Sequence, residues 1–266
     1  MRACPVCNTS QNVATYHRVD GFDYVRCAKC ELIFIDKVAP TNELYTAYDG
    51  GWWKSFRRRL TAPFRTFDQI PNLRKSLDRA GIIYDFVARF APAVTPTAQS
   101  SFLDIGCNKG FLLVQALEHG YNVFGIELVA VLLEPFRRKY PRFARQVEAG
   151  RFMDVQRNFA DETFDVITAI DVIEHLEEPT VDFDTIFRLL KPGGVFVIQT
   201  PDGDSPQAHR DQAGWGALKP LEHLQLFSRK NLGLFAARHG FASTEFFEPF
   251  EEADGNFVAV MKKAAR

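Results

Sequence analysis

Two glycines and two acids in the middle of the chain have the types and spacing of a nucleoside-binding turn. The run Phe102-Leu103-Asp104-Ile105-Gly106-Cys107-Asn108-Lys109-Gly110-Phe111 is a short apolar stretch that ends in an acid, passes a glycine-bracketed turn and enters a helical pattern. Strand, tight loop and helix in that order let a backbone come close to a small polar ligand. The next strand-like run, Tyr121 to Ile126, ends in Glu127. An acid at the tip of a second strand suits the paired hydroxyls of a ribose. A dinucleotide fingerprint needs G-x-G-x-x-G, and a Walker loop needs G-K-[ST]. This loop has neither, since its only glycines are Gly106 and Gly110. Asp104 just before the turn would repel a pyrophosphate but suits an ammonium group. S-adenosylmethionine carries that group and a ribose, and no phosphate.

Four of the five cysteines form a second constellation, Cys4-x2-Cys7 and Cys27-x2-Cys30. Paired knuckles at this spacing match a structural zinc ribbon. Each knuckle is a tight turn that aims two thiolates at one metal, and Tyr24-Val25-Arg26 supplies part of a hairpin between them. Two disulfides are the alternative. Met1-Arg2-Ala3-Cys4 has no apolar segment before the cysteine, so the chain reads as cytoplasmic, where thiols stay reduced. Four thiolates fill the coordination sphere, which makes such a zinc structural. Cys107 reads as a small residue packed under the cofactor, with no base beside it.

Two histidines are placed for proton transfer. His175 follows Asp171-Val172-Ile173-Glu174, and His223 stands in Leu221-Glu222-His223-Leu224 after the long 201–220 segment. An unperturbed histidine titrates near neutrality, as a general base should. Against these roles stand plain structural ones, a turn cap for His175 and loop ordering for His223.

From Leu103 to Gly110 the chain resembles motif I of class I S-adenosylmethionine-dependent methyltransferases. Further similarities follow in the family's order. Gly125-Ile126-Glu127 resembles the ribose-binding strand end. Phe164-Asp165-Val166-Ile167, running to Asp171-Val172-Ile173-Glu174-His175-Leu176, resembles motif IV. Leu189-Leu190-Lys191-Pro192-Gly193-Gly194 with Val195-Phe196-Val197-Ile198 resembles the next helix end and the fifth strand. The resemblance covers residues 75 to 263. It implies a Rossmann-like α/β fold with S-adenosylmethionine held by Asp104, Gly106, Cys107, Asn108, Gly110, Glu127, Phe152 and Asp171. The family often has glycine where Asn108 stands, and asparagine tolerates the positive dihedral such a turn needs. Arg151 stands where the family often has an acid near the adenine amine, which leaves a backbone contact near Phe152. Glu222-His223-Leu224-Gln225-Leu226-Phe227-Ser228 is similar to a small-molecule subgroup that includes quinone, sugar and natural-product methyltransferases, some with an N-terminal zinc module. That similarity favours His223 as base, with Glu222 as its neighbour and His175 as the second candidate.

These residues need a frame. Strands are expected at 101–105, 122–126, 145–148, 164–170, 195–200, 241–247 and 256–262, and helices at 110–119, 129–139, 180–190 and 229–238. A further amphipathic helix follows Gly81, from Ile82 to Val87. Alternating strands and helices imply a mostly parallel sheet with helices on both faces. The last two strands lack a helix between them, so one runs antiparallel. The expected division is a zinc-binding ribbon at 1–40, a linker or helical lid at 41–98 and a methyltransferase domain at 99–266. Ala91 to Ala98 reads as an exposed loop.

The segment Trp52 to Phe67 mixes aromatics with arginines. It can be a lid gripping an anionic substrate group, a peripheral membrane contact, or a linker helix packed on the main domain. Tyr45 and Tyr48 are candidates to line the acceptor pocket. Hydrophobic content of 46% and charged content of 24% fit a globular protein, and no apolar run approaches a membrane span. A net charge of −1 provides no global field for nucleic acid.

The leading function is methyl transfer to a small-molecule or glycan-type acceptor. RNA methylation with the ribbon as RNA grip is the second reading. The [DN]-P-P-[FY] tetrapeptide of base-amine methyltransferases is missing after the fourth strand, which counts against it. A non-catalytic binding module is the third.

Overall fold

The computed structural model describes residues 2–10, 13–39, 66–90, 99–248 and 255–266. The aromatic-cationic run up to residue 65, Tyr45, Tyr48 and the loop 91–98 lie outside the described residues. Strands β1 (Val13–Val19) and β2 (Phe22–Cys27) form a hairpin, and β3 (Ile33–Ile35) pairs antiparallel with β2. Asp20 and Gly21, with φ of 48° and 84°, make the hairpin turn. Two positive dihedrals in succession match the right-handed twist of the flanking strands.

A larger sheet follows from β4 (Ser101–Ile105), β5 (Asn122–Glu127), β6 (Val147–Ala149), β7 (Phe164–Ile170) and β8 (Leu190–Pro201). After the short β9 (Gln225–Leu226), it is completed by β10 (Ser243–Phe247) and β11 (Asn256–Lys262). The order is β10-β11-β8-β7-β4-β5-β6. Strands β4 to β8 pair in parallel, and β11 runs antiparallel to both β8 and β10. This is the seven-stranded, mostly parallel Rossmann-like sheet expected, with its reversed final strand. Order reverses at β4, the first strand of the parallel set, and ligands bind at such a switch point beyond the carboxyl ends of the strands.

Helices α1 (Leu73–Phe90), α2 (Phe111–Glu118), α3 (Ala130–Lys139), α4 (Phe152–Val155), α5 (Pro179–Leu189), α6 (Pro206–Asp211) and α7 (Arg229–Arg238) flank the sheet. Two differences from expectation have physical causes. Helix α1 begins at Leu73 and runs through Gly81, because Ala80, Ile83, Tyr84 and Val87 continue one buried stripe. A glycine inside a helix costs only about 1 kcal/mol, which such burial offsets. Helix α5 ends at Leu189 as expected, but strand β8 begins at once at Leu190 rather than at Val195 and includes the Lys191-Pro192-Gly193-Gly194 run. A register shift between Phe164 and Val166 on β7 accommodates it.

The ribbon does not stand apart. Strand β9 is the fourth strand of its sheet, with Ile33 opposite Leu226 and Phe34 opposite Gln225. Ile35 N–H donates to Leu224 O at 3.0 Å, and Tyr24 Oη donates to His223 O at 2.8 Å. Buried Gln225 donates through Nε2 to Ile173 O and Leu176 O, both at 2.8 Å. Cys4, Val6, Leu32 and Phe34 join one apolar core with Ile105, Ile173, Phe183 and Phe227. No helix among the described residues is long and apolar enough to cross a membrane.

Candidate active site

At the end of β4 the chain turns through Gly106, Asn108 and Gly110, with φ of 74°, 50° and 79°. Asn108 adopts the positive dihedral expected of it. The glycines are also sterically required. A Cβ on Gly106 would come 2.5 Å from Val172 Cγ2, and one on Gly110 would come 2.5 Å from the Phe136 ring. The turn is pinned to the next strand, since Gly106 N–H and Cys107 N–H both donate to Ile126 O, at 2.8 and 3.0 Å. Cys107 is buried, and burial pushes its thiol far up. An apolar setting that keeps a thiol protonated is the opposite of what a nucleophile needs.

Glu127 closes β5 with only 1% of its surface exposed. Its Oε2 accepts from Asn108 N–H and its Oε1 from Val129 N–H, each at 2.9 Å. The two loops that would enclose a nucleoside are thus tied by one carboxylate. A carboxylate offers about four lone-pair positions, so two backbone donors do not saturate it. Asp104 is 4% exposed and accepts from Thr168 Oγ1 at 2.7 Å. Burial, with a contribution from the Glu127 charge, pushes its carboxyl up to about 7.

A cavity of about 340 Å³ opens at this sheet edge. That volume is within the range of about 300–1,000 Å³ of small-molecule sites. Gly106, Glu127, Phe152, Asp171, His175 and Glu222 line it. Asp104, Cys107, Asn108, Gly110 and His223 do not. Asp171, at φ 54°, accepts from Gln199 Nε2 at 2.9 Å, and its other oxygen lies 3.9 Å from the Arg79 guanidinium.

His175 and His223 meet edge to face, with ring centroids 4.9 Å apart. His175 Nδ1 lies 2.7 Å from Glu222 O, and His223 Nδ1 lies 2.8 Å from Ala217 O. A carbonyl only accepts, so each neutral ring carries its proton on Nδ1 and presents Nε2 as the acceptor. Titration near neutrality, expected from sequence, does not hold in this environment. Burial, and then the neighbouring His175, push His223 down to about 3, and burial also lowers His175. Desolvation disfavours the charged imidazolium, so both rings are neutral at pH 7.

Sequence reasoning quoted Glu174 without giving it a role. It is 1% exposed, accepts from Thr200 Oγ1 at 2.9 Å, and is pushed up to about 8 by burial and the Asp171 charge. One oxygen of Glu174 and one nitrogen each of His175 and His223 lie within 4.8 Å of one another. Such a set can share a proton or hold a divalent cation. The signal in sequence was the adjacency of Glu174 and His175, which by itself does not distinguish a site from a turn.

The four ribbon cysteines converge. Cys4 and Cys30 sulfurs lie 3.4 Å apart, those of Cys7 and Cys27 3.5 Å apart, and all four within 4.8 Å. Tetrahedral zinc with bonds of about 2.3 Å puts its sulfurs about 3.8 Å apart, so the set fits that ion. Thiol–thiol hydrogen bonding pulls Cys4 below its ordinary range and lifts Cys30 above it. A cation would remove that conflict by favouring all four thiolates.

The chain matches the family model described as "Methyltransferase domain" over residues 73–245, and it belongs to that family. The ubiquinone biosynthesis O-methyltransferase of Psychrobacter cryohalolentis is 27% identical over 164 residues, 59% of this chain and 62% of the relative. That of Pseudomonas aeruginosa is 31% identical over 110 residues, 39% and 45% of the two chains. The chain therefore spans less than two thirds of the length of these relatives. Among solved structures, the 1,6-didemethyltoxoflavin-N1-methyltransferase of Burkholderia thailandensis shares the fold at a TM-score of 0.56 and 14% identity, over 94% of this chain and 99% of that one. A SAM dependent methyltransferase from Archaeoglobus fulgidus does so at 0.53 and 14%, over 84% and 100%.

The buried Asp104 generates a pH prediction. Its folded-state value, about 7, lies above the ordinary carboxylate range. The folded chain therefore keeps a proton that the unfolded chain releases, and stability is lost as pH rises from about 4 to 7. Urea denaturation of the unliganded protein at pH 5 and pH 8 should show Asp104→Asn losing about 2–3 kcal/mol less than wild type across that interval. Equal losses would mean that Asp104 is ionised in the fold.

Proposed function

We propose that this chain transfers a methyl group from S-adenosylmethionine to a hydroxyl of a small molecule, such as a sugar, a phenol or another natural product. The observation that carries the reading is Glu127, a buried acid bridging two strand-end loops and lining the same cavity as His175. Its charge and remaining acceptor capacity suit the two ribose hydroxyls. The backbone at Gly106 would hold the amino-acid portion, with Asp104 beneath it and Gly110 shaping the turn, and Asp171 would stand beside the sulfonium. Phe152 would face the adenine.

When bound, S-adenosylmethionine supplies a methyl group already activated on sulfur. What remains for the protein is alignment of the acceptor at about 3 Å, exclusion of water and removal of a proton. His175 is the ring that lines the cavity, and its Nδ1–H is fixed by the Glu222 carbonyl. Its Nε2 would take the hydroxyl proton as the oxygen attacks. His223 would act from behind, orienting His175 through the edge-to-face contact. This reading puts the base one ring nearer the cofactor than the family pattern favours. The relatives named as O-methyltransferases support oxygen as the acceptor atom.

Zinc would occupy the four cysteines as a structural ion. Because the ribbon binds the chain at His223, Leu224 and Gln225, that ion would stiffen the acceptor side of the cavity as well. Nucleic acid is disfavoured as acceptor, since Glu127, Asp154, Asp171, Glu177, Glu178 and Glu222 all line the cavity and would repel phosphates.

Two experiments test these assignments. In His175→Ala, binding of S-adenosylhomocysteine should stay within a factor of three of wild type. Turnover of an accepted hydroxyl substrate should fall about 100-fold or more. Wild-type turnover in that variant would remove His175 from the mechanism. Elemental analysis should find one zinc per chain in the purified protein and none in Cys27→Ser, which should also melt at a lower temperature. A zinc-free wild type with an unchanged melting curve after chelation would contradict the metal assignment.

A further inference from the structure

The turn that carries His175 is held at four points by the segment 222–225. Ile173–His175 is a single 3-10 turn, closed by His175 N–H donating to Val172 O at 2.9 Å. So short a turn leaves its later carbonyls without partners of its own. The other segment supplies them. Leu224 N–H donates to Glu174 O at 2.7 Å. Gln225 Nε2 donates to Ile173 O and to Leu176 O, both at 2.8 Å. In return, His175 Nδ1 donates to Glu222 O at 2.7 Å.

Gln225 is the unusual member of this set. Its side chain is wholly buried. Both partners of its amide are carbonyls, which only accept, so the NH2 group must face them and the amide has one orientation. Its two donors are used in full, while its Oε1 is buried without a hydrogen-bond partner among the described residues. An orphaned buried oxygen costs about 1–3 kcal/mol. The fold bears that cost on a side chain whose donors bracket His175 on both sides. Its backbone lies in β9, opposite Phe34 of the ribbon, so the clamp is anchored in a sheet.

We propose that Gln225 is a positioning residue for His175. Its amide grips the turn before and after the ring, keeps Nδ1–H on the Glu222 carbonyl, and so leaves Nε2 as the one acceptor of the ring. The catalytic purpose of the clamp rests on the proposed reading of His175 as the base. Without the amide, Ile173 O and Leu176 O lose their donors and their peptide groups are free to turn toward other partners. The ring is then held by Glu222 and by its edge-to-face packing on His223, and either nitrogen can carry the proton. A histidine with its proton on the wrong nitrogen has nothing to accept with. The ribbon enters the chemistry by this route, through the sheet that carries Gln225.

Nitrogen-15 NMR of histidine-labelled protein tests this on wild type, Gln225→Met and Gln225→Asn, with His175→Ala to assign the signals. Methionine matches the length of glutamine and has no donor. Asparagine keeps the amide but is one methylene shorter, so it cannot serve both carbonyls. Wild type should show His175 as one tautomer, with its proton on Nδ1. Gln225→Met should populate both tautomers and exchange its Nδ1 proton about tenfold faster or more, as the loss of two net hydrogen bonds requires. Gln225→Asn should fall between them. Affinity for S-adenosylhomocysteine should stay within about a factor of three in both variants, because the Glu127 end of the cavity is untouched.

A wild type that shows both tautomers, or carries the proton on Nε2, would overturn the assignment. So would a Gln225→Met that melts lower yet keeps the wild-type tautomer and exchange rate, since the glutamine would then serve stability alone. If Gln225→Met does not fold, Gln225→Asn decides by the same two criteria. None of these readings needs an acceptor substrate. Wild-type turnover in His175→Ala would overturn the base reading and with it the purpose of the clamp. An inactive His175→Ala beside an unchanged ring in Gln225→Met would overturn the clamp alone, so the two failures are distinguishable.

Discussion

The Glu127 carboxylate is the contact on which the rest of the site depends. It is buried at the end of β5 and receives the N–H of Asn108 from one loop and of Val129 from the other. The Asn108 N–H reaches it only because the first loop passes three residues with positive φ, two of them glycines that have no room for a Cβ. Sheet order puts β4 and β5 side by side, which brings the two loops to one edge. The cavity wall is therefore built before any ligand arrives, with the charge that suits a ribose already fixed. Preorganised acceptors need no reorganisation on binding, which is where such sites gain affinity.

A second constraint comes from the ribbon. Its sheet borrows β9 from the chain that carries His223, and Tyr24 and Ile35 hold that chain by two further hydrogen bonds. Gln225 reaches across to the carbonyls of Ile173 and Leu176, which flank Glu174 and His175. The two segments bearing histidines thus meet because a four-stranded sheet pulls one of them onto the other. The small cysteine module is continuous with the main core through Cys4, Leu32 and Phe34. Thr180 and Arg238 donate to the Pro5 and Val6 carbonyls, so the first knuckle also docks against the helices that cover the sheet.

Local chemistry was legible in sequence and its environment was not. The loop from Asp104 to Gly110, the acid at Glu127 and the paired cysteines announce themselves by spacing, because each needs residues close together along the chain. The reversed strand followed from the missing helix before Asn256. Gly81 misled, since burial of Tyr84 outweighs local propensity, whereas the Lys191-Pro192-Gly193-Gly194 run does end the helix and pairing with β7 only carries the strand back to Leu190. Long-range burial set the rest. Nothing beside His223 in sequence indicates that it lies under His175 and is held neutral, and nothing beside Glu174 shows it joining the two rings. Strand β9 is two residues long and has no propensity signal of its own.

Titration calorimetry of S-adenosylmethionine into the purified protein and its Glu127→Gln variant tests the central claim most directly. The exchange keeps the size of the side chain but removes its charge and replaces one acceptor oxygen by a donor. Saturable binding of one cofactor per chain by wild type, weakened about tenfold or more in the variant, is the predicted result. A variant that binds as tightly as wild type, or a wild type that does not bind at all, would contradict the account.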